Sequence, residues 1–218
     1  MSRRNLSEIV EVLVGLGVIA LIFWFWLQPP VKSIPAFGGS PMRVQLADGA
    51  RYFQRDARWV GQRLGGSADT VGSAGCAVTS VAMAMTNLGY PIDPGQLSGA
   101  LTAKGGFTGD GWLVWDAVRR LSKKTLRVEV HEAPSLEKLD GCLAAGDYPL
   151  VKFMLKRGIP HWVLLVGKRD GTYFMRDPLL NEAAPSPLTR RTRVILSVRC
   201  IGRVTTLPLR AAEKKKQD

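Results

Sequence analysis

The sequence predicts an α+β domain carried behind a single N-terminal transmembrane helix. Two observations predict it. An unbroken apolar run lies near the N-terminus, and in the remainder helical periodicity gives way to short β-rich runs toward the C-terminus. A composition that is 46% hydrophobic and 22% charged is that of a folded chain, and 218 residues hold one ordinary domain plus attachments.

Residues 1–8 read as a short cytoplasmic N-terminus. Residues 9–27 contain VLVGLGVIALIFWFWL and tolerate one acidic residue, Glu11. At ~1.5 Å per residue that stretch makes about 28 Å of helix, close to the ~30 Å hydrocarbon thickness. Trp24 and Trp26 stand where interfacial aromatics belong. The run is long for a signal-peptide core and is followed directly by Gln-Pro-Pro-Val-Lys, so an uncleaved signal-anchor is expected. Arg3, Arg4 and the amino terminus before the run, against Lys32 and Arg43 after it, set the bulk of the chain outside the cytoplasm.

Residues 28–50 carry four prolines and a Gly-Gly pair and read as an extended linker. The globular domain is expected over residues 51–207, followed by a basic, solvated tail at 208–218. Within the domain, Val78, Val81, Met85 and Leu88 repeat at helical spacing over 77–88. Residues 112–121 and 135–145 are further helix candidates. Strands are expected at 150–155, 162–166, 172–176 and 194–198.

Lys and Arg exceed Asp and Glu by 30 − 18 = 12. An excess of that size suits an anionic neighbour such as an envelope component. No helix or strand concentrates Lys and Arg on one face, which argues against nucleic acid. Three cysteines and two histidines, with no C-x-x-C, leave too few ligands at the right spacing for a metal site, and no glycine-rich nucleotide loop is present. No cofactor is expected.

The most informative stretch is Gly72-Ser-Ala-Gly-Cys76-Ala-Val-Thr-Ser-Val-Ala-Met. A small, flexible segment leads into a cysteine at the start of a helix, where unpaired N–H groups favour a thiolate. A nucleophile and a buried packing cysteine both fit the local sequence. A nucleophilic thiol needs a base. His131 lies in a charged strand edge, Val-Glu-Val-His-Glu, and reads as a surface residue. His161 opens the apolar strand His-Trp-Val-Leu-Leu-Val-Gly. If Arg169–Gly171 is a three-residue connection, Lys168 pairs with Thr172, and counting back sets Val163 opposite Asp177. Asp177 then shares a side with His161, one diagonal step away, whereas a two-residue loop puts them on opposite faces.

A helix-start cysteine, a strand-start histidine and a carboxylate on the returning strand follow the chain order of papain-like enzymes. Tyr52-Phe-Gln-Arg-Asp56-Ala-Arg-Trp59, Gly75-Cys76-Ala-Val-Thr-Ser-Val-Ala-Met83, His161-Trp-Val-Leu-Leu-Val-Gly167 and Arg176-Asp177-Pro178 resemble the bacteriocin-processing-like family of papain-fold cysteine peptidases, over roughly residues 52–200. The resemblance implies a papain-like fold, with Cys76 as nucleophile, His161 as general base and then acid, and Asp177 as the orienting carboxylate. It implies Gln54 as an oxyanion-hole donor beside the Cys76 N–H. Exporter-fused members of that family sit in the cytosol and cut after a Gly-Gly leader. The topology expected here differs, so the chemistry carries over and leader cleavage does not.

The function expected is a membrane-anchored thiol peptidase acting on a peptide or protein at the cell envelope. The alternatives are a non-catalytic peptide-binding module on the same fold, or a cell-wall peptide hydrolase using the same residues. Cys142 and Cys200 read as core residues that outside the cytoplasm could pair and leave Cys76 free.

Overall fold

The computed structural model describes residues 13–19, 23, 32–131 and 133–204. The chain divides into two units, Met1–Lys32 and Ser33–Asp218. In the first, residues 13–19 and 23 are helical and exposed. Most of the expected transmembrane segment lies outside the described residues, as does the basic tail. Among the described residues no helix is long and apolar enough to cross a membrane.

The second unit has nine strands and five α-helices among its described residues. The strands are β1 (Ile34–Pro35), β2 (Arg43–Gln45), β3 (Leu126–His131), β4 (Tyr148–Met154), β5 (Pro160–Arg169), β6 (Thr172–Arg176), β7 (Ser186–Pro187), β8 (Val194–Ile195) and β9 (Ser197–Arg203). The helices are α1 (Val71–Ala74), α2 (Cys76–Asn87), α3 (Pro94–Ala103), α4 (Trp115–Leu121) and α5 (Leu136–Ala144). Seven strands form one antiparallel sheet in the order β3-β9-β4-β5-β6-β7, with β2 alongside the far end of β5.

The pleat divides the core in two. Leu150, Trp162, Leu164 and Val166 pack with Val78, Val81 and Met85 of α2, Leu97 and Leu101 of α3 and Val118 of α4. Val151, Phe153, Val163 and Leu165 point the other way, onto Leu139 and Leu143 of α5 and onto Tyr173, Met175 and Val198. Helices cover both faces of β5, so its apolar run has no polar alternation to break it. The α+β prediction holds, with β3 interposed before the last helix.

Three features depart from the sequence reading. Residues 33–50, expected as an extended linker, carry β1, which pairs with β8, and β2, which pairs with β5. The Gly38-Gly39 turn then closes over a buried cluster in which the Lys168 ammonium donates to Asp140 Oδ1 (2.7 Å) and to the Ser40 carbonyl (2.9 Å), while the Tyr173 hydroxyl donates to the same carboxylate oxygen. Gly39 has φ +78°, and a Cβ there would collide with Asp140, Lys168 and Tyr173. Helix α3 was not anticipated, although Asp93 and Gln96 cap it reciprocally and Pro94 opens it. The expected strand at 194–198 is two strands, β8 and β9, which serve different sheets.

Candidate active site

Cys76 begins α2, the helix that fills one face of the sheet. Thr70 and Ser73 form a reciprocal cap on the preceding turn, and the chain breaks at Gly75 before the helix restarts. The first backbone bond of the new helix runs from the Thr79 N–H to the Gly75 carbonyl at 2.9 Å. The Cys76 N–H thus stands at the helix N-terminus, outside the ladder. The small residues before the cysteine have packing reasons of their own. A Cβ on Gly75 would fall on the Val71 carbonyl, and one on Gly72 would strike Val60. The thiol is free and nearly buried, at 8% exposed.

His161 lies at the start of β5, opposite Phe153 of β4, whose ring it meets edge-on with centroids 5.4 Å apart. Its Nε2 is 2.7 Å from Asp177 Oδ1, and Cys76 stands near enough to the ring to favour its charged form. With Nε2 committed to the carboxylate, Nδ1 is the nitrogen left for the thiol. One turn along α2 from Cys76, the Ser80 hydroxyl donates to the carbonyl of Trp162 at 3.3 Å and docks the helix against the start of this strand.

The hairpin that delivers Asp177 is not the one expected. Arg169 pairs with Thr172 and Lys168 with Tyr173, so the connection is a two-residue turn, Asp170-Gly171. Both turn residues have positive φ (51° and 80°), as the tightest hairpins with the strands' own twist require. The expected pairing of Lys168 with Thr172 is therefore incorrect. A bulge between Leu165 and Gly167 inserts Val166 and shifts the register by one, so that Leu164 faces Arg176. Extending that pairing sets Val163 opposite Asp177. Loop length and bulge compensate, and the two side chains meet on one face.

The electrostatics follow from these contacts. Burial alone disfavours an imidazolium at His161, which is 2% exposed. The hydrogen bonds with Asp177 and Cys76 and the charges of both act the other way and prevail, raising the ring's pKa from 6.5 to about 9. Burial pushes the Asp177 carboxyl up, but the His161 hydrogen bond and charge, the Leu179 N–H at 2.8 Å and the charge of Arg191 hold it below the usual carboxylate value. Arg191 Nε lies 2.8 Å from Asp177 Oδ2 as a charge contact without hydrogen-bond alignment, which leaves both atoms without a hydrogen-bond partner among the described residues.

Gln54 is buried. Its backbone N–H donates to the Pro178 carbonyl at 2.8 Å, tying the segment to the residue after Asp177. Its side-chain Nε2 donates to the Gly72 carbonyl at 3.1 Å, one turn before Cys76, and its Oε1 has no partner among the described residues. An amide carries two N–H donors, so one remains uncommitted. The structure thus gathers Cys76, His161 and Asp177 and sets Gln54 behind the turn that precedes the cysteine. His131 is elsewhere, at the sheet-edge strand β3 near Glu129. Cys142 and Cys200 form a disulfide between α5 and β9 with Cα atoms 6.0 Å apart.

Two contributors escaped the sequence reading. Arg191 belongs to the basic run Thr189-Arg-Arg-Thr-Arg193, where nothing local singles out one arginine. Arg176, immediately before Asp177, grips Asp48 through two nitrogens (2.8 and 2.6 Å) and the carbonyls of Glu182 and Ala183, fixing the loop that leaves the site.

The chain matches no family model and no curated protein. It does resemble a solved structure. A Bacillus anthracis protein named, provisionally, as a C39-like peptidase aligns with a TM-score of 0.50 and 14% identity, over 75% of this chain and 99% of that one. At that identity the likeness defines the fold alone: a mixed α+β, antiparallel-sheet domain whose fold resembles that of the C39-like peptidase.

Proposed function

We propose that this chain is a cysteine peptidase that hydrolyses peptide bonds through Cys76, His161 and Asp177. The observation that carries the reading is His161 held between the Asp177 carboxylate and the only free thiol among the described residues. The C39-like fold supports it.

In this reading the Cys76 sulfur, its proton on His161, attacks the substrate carbonyl carbon. The former carbonyl oxygen takes the negative charge and accepts hydrogen bonds from the Cys76 N–H and the uncommitted N–H of Gln54. As the C–N bond breaks, the imidazolium gives its proton to the departing amine, leaving a thioester. His161 then takes a proton from water, whose oxygen attacks the thioester. The acid departs and the proton returns to the Cys76–His161 pair. Asp177 keeps the ring in one tautomer and one orientation throughout.

The apolar stretch at 9–27 and the Cys142–Cys200 disulfide support a site of action at the envelope. A structural disulfide favours an oxidising compartment. The reading is a single-pass protein with its catalytic domain outside the cytoplasm, acting on peptides or proteins of the envelope.

The test is cleavage of a peptide library by the full chain in detergent, with Cys76→Ala as control. Cleavage by the native chain and none by the variant supports the reading. Equal action, or none by either, sinks it. Gln54→Ala is expected to lower kcat by roughly 10²–10³-fold. Stoichiometric alkylation of Cys76 should survive the change, which separates a lost donor from a lost fold.

A further inference from the structure

One strip of the sheet beside the triad gathers basic and aromatic side chains. Trp162 follows His161 directly and points to the α2 side. Lys152 faces Trp162 across β4–β5, and Ser197 of β9 faces Lys152. Arg199, two residues on from Ser197, shares their face, and Val130 of the edge strand β3 faces Arg199. These residues cross four neighbouring strands at the end of the sheet that carries His161. Trp115, opening α4, covers the row, its ring centroid 5.0 Å from that of Trp162.

Among the described residues the strip holds two cations and no acid. The Arg199 guanidinium lies 5.5 Å from each indole, and the Lys152 ammonium lies 5.9 Å from Trp162. Neither has a carboxylate within ion-pair distance among the described residues. The nearby acids among the described residues are committed. Asp116 is bound by Arg119 and Arg120, and Glu129 lies on the opposite face of β3, facing Cys200 and paired with Arg127 at 2.8 Å. Arg199 Nη1 donates to the His131 and Val198 carbonyls and to the Ser197 hydroxyl, while its buried Nε has no acceptor among the described residues. Burial pulls the Arg199 pKa down. Among the described residues, this half-buried guanidinium between two indoles and beside a lysine has no anion.

We propose that this strip is the subsite that receives a carboxylate of the peptide substrate, with Lys152 and Arg199 supplying charge and Trp115 and Trp162 flanking it. The proposal rests on the peptidase reading and names its substrate class: peptides with an acidic group beside the cleaved bond. That group could be a side chain or a free C-terminus, and both are carboxylates.

The experiment uses the full chain in detergent. The best-cleaved peptide of a proteome-derived library is compared with versions in which Asp and Glu become Asn and Gln, or in which the C-terminus is amidated. Neutralising one of these two is expected to raise KM about tenfold or more with kcat little changed, and which one does so identifies the source of the carboxylate. Lys152→Glu should invert the preference toward a Lys-substituted peptide, and Arg199→Gln should abolish it. The Lys152 variant alone is decisive should Arg199→Gln fail to fold. The same peptides are titrated against Cys76→Ala by tryptophan fluorescence. Cleavage without charge discrimination overturns the subsite and leaves the peptidase reading intact. Should no library peptide be cleaved, the peptidase reading falls, and charge-selective binding of acidic library peptides to Cys76→Ala upholds the subsite. Discrimination that persists unchanged in Lys152→Glu overturns the subsite as well.

Discussion

At the scale of single residues, the chemistry turns on how firmly His161 holds its proton. Its pKa of about 9 is a contest between burial, which would expel the charge, and Asp177 and Cys76, which retain it. The imidazolium persists below about pH 9 and is lost as pH rises through it, so peptidase activity should decline on that alkaline limb. Asp177→Asn removes the largest favourable contribution. The limb should then move to lower pH, and kcat should fall by up to ~10⁴-fold, as expected when an imidazole loses the carboxylate that orients it. A pH–rate profile of the two proteins checks both, and an unmoved limb would contradict the geometry. The same shift has a stability consequence. A folded-state pKa above the unfolded one makes the imidazolium's contribution complete below about pH 6.5, and lost as pH rises through about 9, wherever Asp177 is ionised. Much of this site was legible as residue types in order, because a helix-start cysteine and a strand-start histidine leave local signals. Arg191 was not, because its partner Asp177 is brought to it only by the loop between β6 and β8.

Elements decide whether those residues meet. The β5–β6 hairpin shows how a sequence argument can reach the correct face by the wrong path. Asp170-Gly171 is a strong two-residue turn signal, and by itself that turn would send Asp177 to the face opposite His161. Val166 restores the face by bulging out of register, and its carbonyl accepts the Leu46 N–H at 2.8 Å instead. That acceptor contact spans 120 positions of sequence, so no local pattern announces the bulge. Deleting Val166 should close the bulge, turn Asp177 away from His161 and abolish cleavage, while the antiparallel hairpin persists. Circular dichroism with the peptide assay reads the two effects separately, and retained activity would show that the bulge does not set the register. Helix α3 is the converse case. Its capping residues, Asp93, Pro94 and Gln96, were visible as residue types. The helix went unseen because Gly95 and Gly99 dilute the apolar periodicity between Leu97 and Leu101.

Over the whole domain, the segment leading from the N-terminal stretch is part of the fold. Prolines and glycines at 28–50 suggest a spacer, yet β1, β2 and Ser40 are locked by contacts with residues a hundred or more positions away. The Lys168 side chain is fully buried beneath Gly39, and Asp140 is its only acidic partner among the described residues. Asp140→Asn would strand that ammonium. A loss of about 3–5 kcal/mol is expected, measured by urea unfolding of the full chain in detergent. Asp140→Leu with Lys168→Met should recover a substantial part, since the cost lies in an uncompensated charge and not in lost volume. A single-variant loss below about 1 kcal/mol would mean that the segment is not anchored through this pair.

The disulfide acts at the same scale, on the opposite side of the sheet from α2. It ties α5 to β9 across 58 residues of sequence. By chain entropy, closing a loop of that length removes about 4 kcal/mol of unfolded-state freedom. Cys142→Ser with Cys200→Ser should therefore lower stability by up to about that amount. Cys76, on the other face, should keep its alkylation rate wherever the variant remains folded. Thiol counting provides the check. The denatured, unreduced chain should take up one equivalent of an electrophile at Cys76, and the reduced chain three. Three equivalents without reductant, from protein isolated under non-reducing conditions, would mean that the bridge does not form where the protein resides, and would remove the support it gives to an extracytoplasmic site of action.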